Sequence, residues 1–245
     1  MQKRGRLTVF DGLDGAGKGV FLDALAEEAR RSGKRIFDVH QFWAEHNFHP
    51  SPYDIIGNYD VILTSEPTFV GIGKYIRNEI IAKNGRDYHP VVHAEAYALD
   101  RRILYQQLLL PVLAAGVDVY QSRSFSTSVV YQLQTALDQG LDCDIDQIMN
   151  IPGNSFCASY PVDFLVVPKI DDVEEAMRRL VGRDKDDRCE FETFDFQTKL
   201  RMHYHGEPFK ALFERLGVAL IYMDASKDVE FSQQQAKDFF HQRLE

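Results

Sequence analysis

The segment Gly12-Leu13-Asp14-Gly15-Ala16-Gly17-Lys18-Gly19 constrains this chain more than any other. It fits G-x-x-x-x-G-K. It follows the short apolar run Leu7–Phe10 and opens a stretch with helical spacing over 17–31, which Ser32-Gly33 closes. Glycines at this spacing let the backbone wrap phosphate oxygens with its N–H groups turned inward. The helix N-terminus adds favourable potential, and a lysine at position 18 reaches the β and γ phosphates. Gly12, Asp14, Gly15, Ala16, Gly17, Lys18, Gly19 and Val20 are therefore the candidate ATP-binding loop, with Lys18 also catalytic. A glycine-rich turn without a ligand is the weaker alternative, because lysine, spacing and context agree. Position 19 departs from the motif: it is Gly where Ser or Thr is usual, and Val20 offers no hydroxyl either. That hydroxyl ordinarily ligates Mg²⁺. The metal would then be held by phosphates, water and carboxylates, with Asp11 and Asp14 as candidates.

Around this loop, β-rich runs alternate with helical stretches. Strands are predicted at 7–10, 35–39, 61–65, 117–121, 163–167 and 218–223. Helices are predicted at 17–31, 73–82, 92–115, 125–138, 144–151, 173–181, 193–216 and 230–244, with Pro111 expected to kink or break the third. Such alternation implies a mostly parallel sheet with helices on both faces. No repeat or low-complexity linker divides the 245 residues, so one domain over 1–245 is expected. The net charge of −9 argues against nucleic acid as a main partner. Three scattered cysteines without C-x-x-C spacing fit a reducing cytoplasm. The longest apolar run contains Pro111 and falls short of the about 18 residues of a membrane span, so no membrane association is expected. The first residues lead straight into a strand, and no signal peptide is expected.

Six motifs in order carry a resemblance. They are Phe-Asp-Gly-Leu-Asp-Gly-Ala-Gly-Lys (10–18), Ser-Glu-Pro-Thr (65–68), Gly-Lys-Tyr-Ile-Arg (73–77), Tyr-Ala-Leu-Asp-Arg (97–101), Ser-Arg-Ser-Phe-Ser-Thr-Ser-Val-Val-Tyr-Gln (122–132) and Asp-Arg-Cys-Glu (187–190). Over residues 7 to about 240, apart from an insertion at about 41–59, the chain resembles the thymidylate kinase family of nucleoside monophosphate kinases. The resemblance implies an α/β P-loop NTPase fold of the nucleoside monophosphate kinase type. It implies a five-stranded parallel sheet flanked by helices and a lid at about 182–192. The implied reaction moves the ATP γ-phosphate to dTMP, giving dTDP and ADP, with Mg²⁺ as cofactor. It also implies a homodimer built through helices near 92–115.

Each matched residue has a chemical reading. Tyr97 and Arg101 are four apart and share a helix face. The resemblance implies that Tyr97 stacks on thymine and Arg101 bonds its O4; on the residues alone they are a core tyrosine and a surface cation. Asp14 would accept from the sugar 3′-hydroxyl, and Asp11 could hold metal-bound water. Glu66-Pro67-Thr68 sits at a strand's carboxyl edge, where such sheets bind ligands, and puts Glu66 near the acceptor phosphate. Arg77 would hold the monophosphate, or be an exposed helix cation. Arg123 would touch the acceptor phosphate and is a catalytic candidate. Ser122 stands where the family usually has Asp, a second change on the metal side. Thr127, Tyr131 and Gln132 match base-contact positions or form an ordinary amphipathic helix. In the charged run 182–188, Arg183 and Arg188 are catalytic lid candidates and Lys185 a lesser one, because Gly15 leaves no arginine in the phosphate loop. The alternative is a solvated charged loop. Asp224-Ala225-Ser226 resembles the segment beside adenine.

The pairs His46/His49 and His203/His205 lack a convincing third ligand and are not read as metal sites. The 41–59 insertion would cover the substrate site, form a dimer contact, or be a surface excursion. Two other functions stay open. One is a deoxynucleoside kinase of the same superfamily, with Glu66 as base on the 5′-hydroxyl. The other is a nucleotide-binding protein with little kinase activity, motivated by Gly19 and Ser122.

Overall fold

The structure, a computed structural model, describes residues 3–181 and 191–245. The lid candidates Arg183, Lys185 and Arg188 lie outside the described residues. Six strands form one sheet: β1 (Leu7–Phe10), β2 (Ile36–Asp38), β3 (Val61–Ser65), β4 (Asp118–Ser122), β5 (Phe164–Lys169) and β6 (Ala219–Asp224). Their order is β2-β3-β4-β1-β5-β6, and every pairing is parallel. The sheet thus has one strand more than the five expected. The sixth is the 218–223 run, which registers with β5 from Phe164↔Ala219 to Lys169↔Asp224. Its reason is two-faced burial. Ile221 and Met223 pack with one helical layer, and Leu220 and Tyr222 with the other. A strand apolar on both sides is stable only between two layers.

The same alternation runs through the central strands and creates two cores. Leu7 and Val9 join Ile62, Val119, Leu165 and Val167 on one face; Phe10, Leu63, Tyr120 and Val166 point to the other. The helices Lys18–Arg31 and Val229–Phe239 cover the second face, through Phe21, Leu25, Ala236 and Phe239. The long helical segment from Pro90 and the pair Phe194–His205 and Glu207–Arg215 contribute to the first. Phosphate loop and strand ends therefore meet at the carboxyl edge of the sheet.

Three expectations change in detail. Pro111 does not break its helix: Pro90–Leu104 continues through a π-helical turn at Tyr105–Leu109 into Leu110–Ala114. The wider turn accommodates a residue without an N–H and the ring that crowds the preceding carbonyls. The helix predicted at 193–216 is two helices, because Gly206 is extended (φ −71°, ψ 151°) and caps a second helix, Glu207–Arg215, with Pro208 in its first turn. An unpredicted helix, Pro152–Ala158, packs on Pro90–Leu104. A Cβ at Gly153 would lie 2.0 Å from the Ala98 carbonyl oxygen. The 41–59 insertion is not a surface excursion. Its short helices Val39–Glu45 and Pro52–Ile55 bury Trp43 and Ile55 in the first core, while Phe48 and Tyr53 are exposed. Among the described residues, no helix is long and apolar enough to cross a membrane.

Phe213 is fully buried, with ring centroids 4.6 Å from Phe209 and 5.4 Å from Phe125. Phe213→Ala removes the centre of this triad and is expected to cost about 3–5 kcal/mol. Urea unfolding followed by circular dichroism measures it; a loss under about 1 kcal/mol would show that the triad does not anchor this face.

Candidate active site

The loop after β1 has the backbone its sequence demands. Gly12 (φ 139°), Gly15 (φ 81°) and Gly17 (φ 82°) occupy regions that side chains disfavour. Gly15 is required a second time: an added Cβ would lie 1.9 Å from the Ala176 carbonyl oxygen of the helix Val173–Val181. Gly19 is the opposite case, with nothing within 4 Å of an added Cβ. Lys18 begins the helix Lys18–Arg31 and is 8% exposed. Its Nζ donates to the carbonyls of Gly12 (3.0 Å) and Leu13 (2.7 Å) and lies 3.6 Å from an Asp14 carboxylate oxygen.

Two buried carboxylates organise the surrounding side chains. Asp14 accepts from Arg123 Nη2, from the Tyr131 hydroxyl (2.9 Å) and from Gln197 Nε2 (3.1 Å). Its backbone N–H donates to Gln197 Oε1 at 2.9 Å. Asp11, with no exposed surface, accepts from Ser126, from Thr127 (2.7 and 2.9 Å), from Tyr204 (3.0 Å) and from the Gly12 N–H (2.8 Å). Burial pushes the Tyr131 and Tyr204 phenols well up, so both stay protonated donors at neutral pH. Thr127, expected at a base, spends its hydroxyl here. Gln197, Tyr204 and Ser126 were not among the sequence-level candidates. Gln197 and Tyr204 lie seven apart and share the buried face of Phe194–His205 with Leu200, a spacing that marked the helix without marking the chemistry.

Arg123 is the one non-glycine residue with positive φ (67°) among the described residues. Its N–H continues the ladder to the Phe10 carbonyl at 2.9 Å, and its guanidinium sits 5.1 Å from the centre of the Tyr131 ring. Strain at this strand end aims the side chain across the phosphate loop to Asp14. Ser122 is the last residue of β4, and its carbonyl accepts from the Glu66 N–H at 2.9 Å.

A third cluster lies behind β3. Glu66 accepts from Arg101 Nε at 2.6 Å and from Gln121 Nε2 at 3.0 Å. Arg101 is neither a surface cation nor turned to an open cleft. It is 1% exposed, and it donates to Asn154, to the Ser124 carbonyl (3.3 Å) and to the Ser128 hydroxyl (2.9 Å). The physical reason is that Glu66 is buried too, and a buried carboxylate needs a paired cation. Next to it, Asp100 accepts from the Thr68 N–H (2.8 Å) and hydroxyl (2.7 Å). Arg77 is half-buried, donates to the Pro67 and Thr68 carbonyls, and lies 3.8 Å over the Phe69 ring. Tyr97 is half-buried one turn before Arg101 on the same helix. Gln132 is buried, and its Oε1 has no hydrogen-bond partner among the described residues.

The described residues do not form a metal-ligand set. Among the described residues no three His, Cys, Asp or Glu side chains cluster to hold an ion. Asp11 and Asp14 are engaged as described, Gly19 has no hydroxyl, and Ser122 has no carboxylate.

A G-x-x-x-x-G-K loop joining the first strand and first helix of a parallel sheet, with charged side chains gathered at the carboxyl edge, defines a P-loop nucleotide-binding protein. Comparison with known proteins narrows the class. The thymidylate kinase family model matches residues 56–236. A thymidylate kinase of an Exiguobacterium species is 24% identical over 241 residues, covering 98% of this chain and 96% of that protein. A probable thymidylate kinase of Thermococcus kodakarensis is 30% identical over 203 residues, 80% of each chain. In fold, the chain is similar to a thymidylate kinase structure from Candida albicans, with a TM-score of 0.64 and 16% identity over 99% of this chain and 93% of that one. The chain belongs to the thymidylate kinase family.

Burial raises the Glu66 carboxyl to about 7, although the Arg101 guanidinium opposes the shift. A carboxyl whose pKa is raised on folding binds its proton more tightly in the native state, so protonation favours the native state. That contribution is therefore full below pH 4.5 and disappears as pH rises through about 7. Urea unfolding of wild type and Glu66→Gln from pH 4.5 to 8 tests this: wild type should lose stability relative to the variant as pH rises. Parallel profiles would show that Glu66 stays ionised throughout.

Proposed function

We propose that this protein transfers the γ-phosphate of ATP to dTMP, giving dTDP and ADP. The observation that carries the reading is the meeting of Lys18, Arg123 and Tyr131 on Asp14. It brings the phosphate loop and a second cation to one spot, which suits the approach of a donor and an acceptor phosphate. Family membership supplies the reaction class. In this reading Lys18 and the backbone of the loop hold the ATP phosphates. Arg123 and Arg77 receive the acceptor phosphate, and Arg183 and Arg188 add charge from the lid. Asp14 meets the sugar, and Tyr97 and the buried carbonyl of Gln132 meet the base. Arg101 and Glu66 tie the end of β3 to the turn after β4. Catalysis is mainly positioning and charge neutralisation. Mg²⁺ enters with ATP, held by phosphates and water.

The deoxynucleoside kinase alternative is weaker. Burial puts Glu66 in the range of a useful base, but Arg101 and Gln121 occupy its two oxygens. A homodimer through the helix Pro90–Leu104 is also proposed, since Val91, Val92 and Leu99 are exposed there. The cytoplasm is the proposed compartment.

The test is ADP release from MgATP across natural nucleoside monophosphates and nucleosides. Turnover should appear on dTMP and fall about 100-fold or more in Lys18→Ala. Turnover confined to nucleosides, or an unaffected Lys18→Ala, would reject the reading. Gly19→Ser has room for its side chain and restores the hydroxyl usual at that position. It should lower the Mg²⁺ concentration needed for half-maximal rate; an unchanged Mg²⁺ dependence would show that the hydroxyl is not limiting.

A further inference from the structure

A cleft of about 540 Å³ opens beside the carboxyl ends of β5 and β6, lined by Lys169, Asp171, Arg201, His205, Lys210 and Tyr222 among others. Its lining includes no residue of the phosphate loop. Tyr222 packs with the core on the face opposite the helices Lys18–Arg31 and Val229–Phe239. Three basic side chains converge here on a protein whose net charge is −9. One carboxylate, Asp171, answers two of them at 3.3 Å (Arg201) and 3.6 Å (Lys169), and it is largely exposed at the rim. Lys210 pairs with exposed Glu207 at 2.7 Å. The floor is firm. His205 and Tyr222 lie with ring centroids 5.1 Å apart, and the Tyr222 hydroxyl donates to the Tyr204 carbonyl at 2.7 Å.

We propose that this cleft binds a small, multiply charged organic phosphate. The guanidinium of Arg201 offers a planar fork of donors, and Lys169 and Lys210 offer point charges, a combination suited to phosphate oxygens. The volume exceeds what inorganic phosphate fills and falls in the range of metabolite sites. The Tyr222 and His205 rings give an organic portion an apolar wall. Burial first, then the nearby Lys169 and Arg201, hold the His205 imidazole below its ordinary value, with Asp171 opposing. The same helix presents Gln197 and Tyr204, four residues before and three after Arg201, to Asp14 and Asp11, so the cleft shares a wall with the phosphate-loop support.

The probe is inorganic diphosphate titrated at 0.15 M salt, with the His205 ring resonance as readout, assigned through His205→Gln. The phosphate loop can bind diphosphate as well, and the local resonance separates the two sites. The expected result is a saturable His205 shift with a Kd of about 1 mM or tighter, kept in Lys18→Ala and weakened at least about 10-fold in Arg201→Ala/Lys210→Ala. Lys169→Glu, at an exposed position, should weaken it in the same direction without disturbing the fold. A His205 shift that grows without saturation, that is equal in the double variant, or that vanishes in Lys18→Ala would overturn the proposal.

Discussion

A buried carboxylate inside a phosphate loop is an expensive arrangement, and the site is built around offsetting it. Asp14 sits where phosphates bind, so in isolation it would repel the ligand and resist desolvation. It is surrounded by donors from separate elements: Lys18 from the helix start, Arg123 from just past β4, Tyr131 from the helical segment after it, and Gln197 from the helix Phe194–His205. Removing the charge partners would leave an uncompensated buried anion, the case that costs most. The carboxylate therefore acts as a gauge, since its partners can satisfy it only when the loop, the 123–131 segment and the helix bearing Gln197 are in register.

Asp11 extends the same logic one layer deeper. Its hydroxyl donors Ser126, Thr127 and Tyr204 come from the two segments that also serve Asp14. The two acids, both in the loop after β1, thus brace one another through shared walls. Glu66 and Arg101 repeat the device behind β3, with Asn154 and Ser128 completing the donor set. Each pair is a charge that the fold has internalised and matched, which rigidifies the loops whose backbones must meet phosphates. Such networks bind tightly only when every member is satisfied.

What the sequence made legible follows from how local each signal is. The phosphate loop, the alternation of strands and helices, and the residues Lys18, Asp14, Arg123 and Tyr131 were readable, because motif and spacing lie within short windows. The sixth strand was visible as an apolar run, but its place in the sheet depended on which helices cover it. Gln197, Tyr204 and Asn154 were hidden for a different reason. Their partners lie 183, 193 and 53 positions away, and an isolated polar residue on a helix carries no mark of what it will meet. Arg101 was located, yet its surroundings were not, since burial of a guanidinium depends on a carboxylate 35 residues distant being buried with it.

The glycine at position 15 links this static framework to the charge that phosphoryl transfer requires. The backbone of Val173–Val181 lies so close that no side chain fits there. An arginine in the loop is excluded by packing as well as by sequence. Yet the transferring group spreads its charge over its oxygens and calls for cations around it. Lys18 supplies one from the loop. Any other must come from outside it, and the helix that blocks position 15 is the one that leads directly into the charged run at 182–188. The contact that forbids a cation in the loop therefore also anchors the helix that ends at Val181, immediately before the run that carries Arg183 and Arg188 in the sequence.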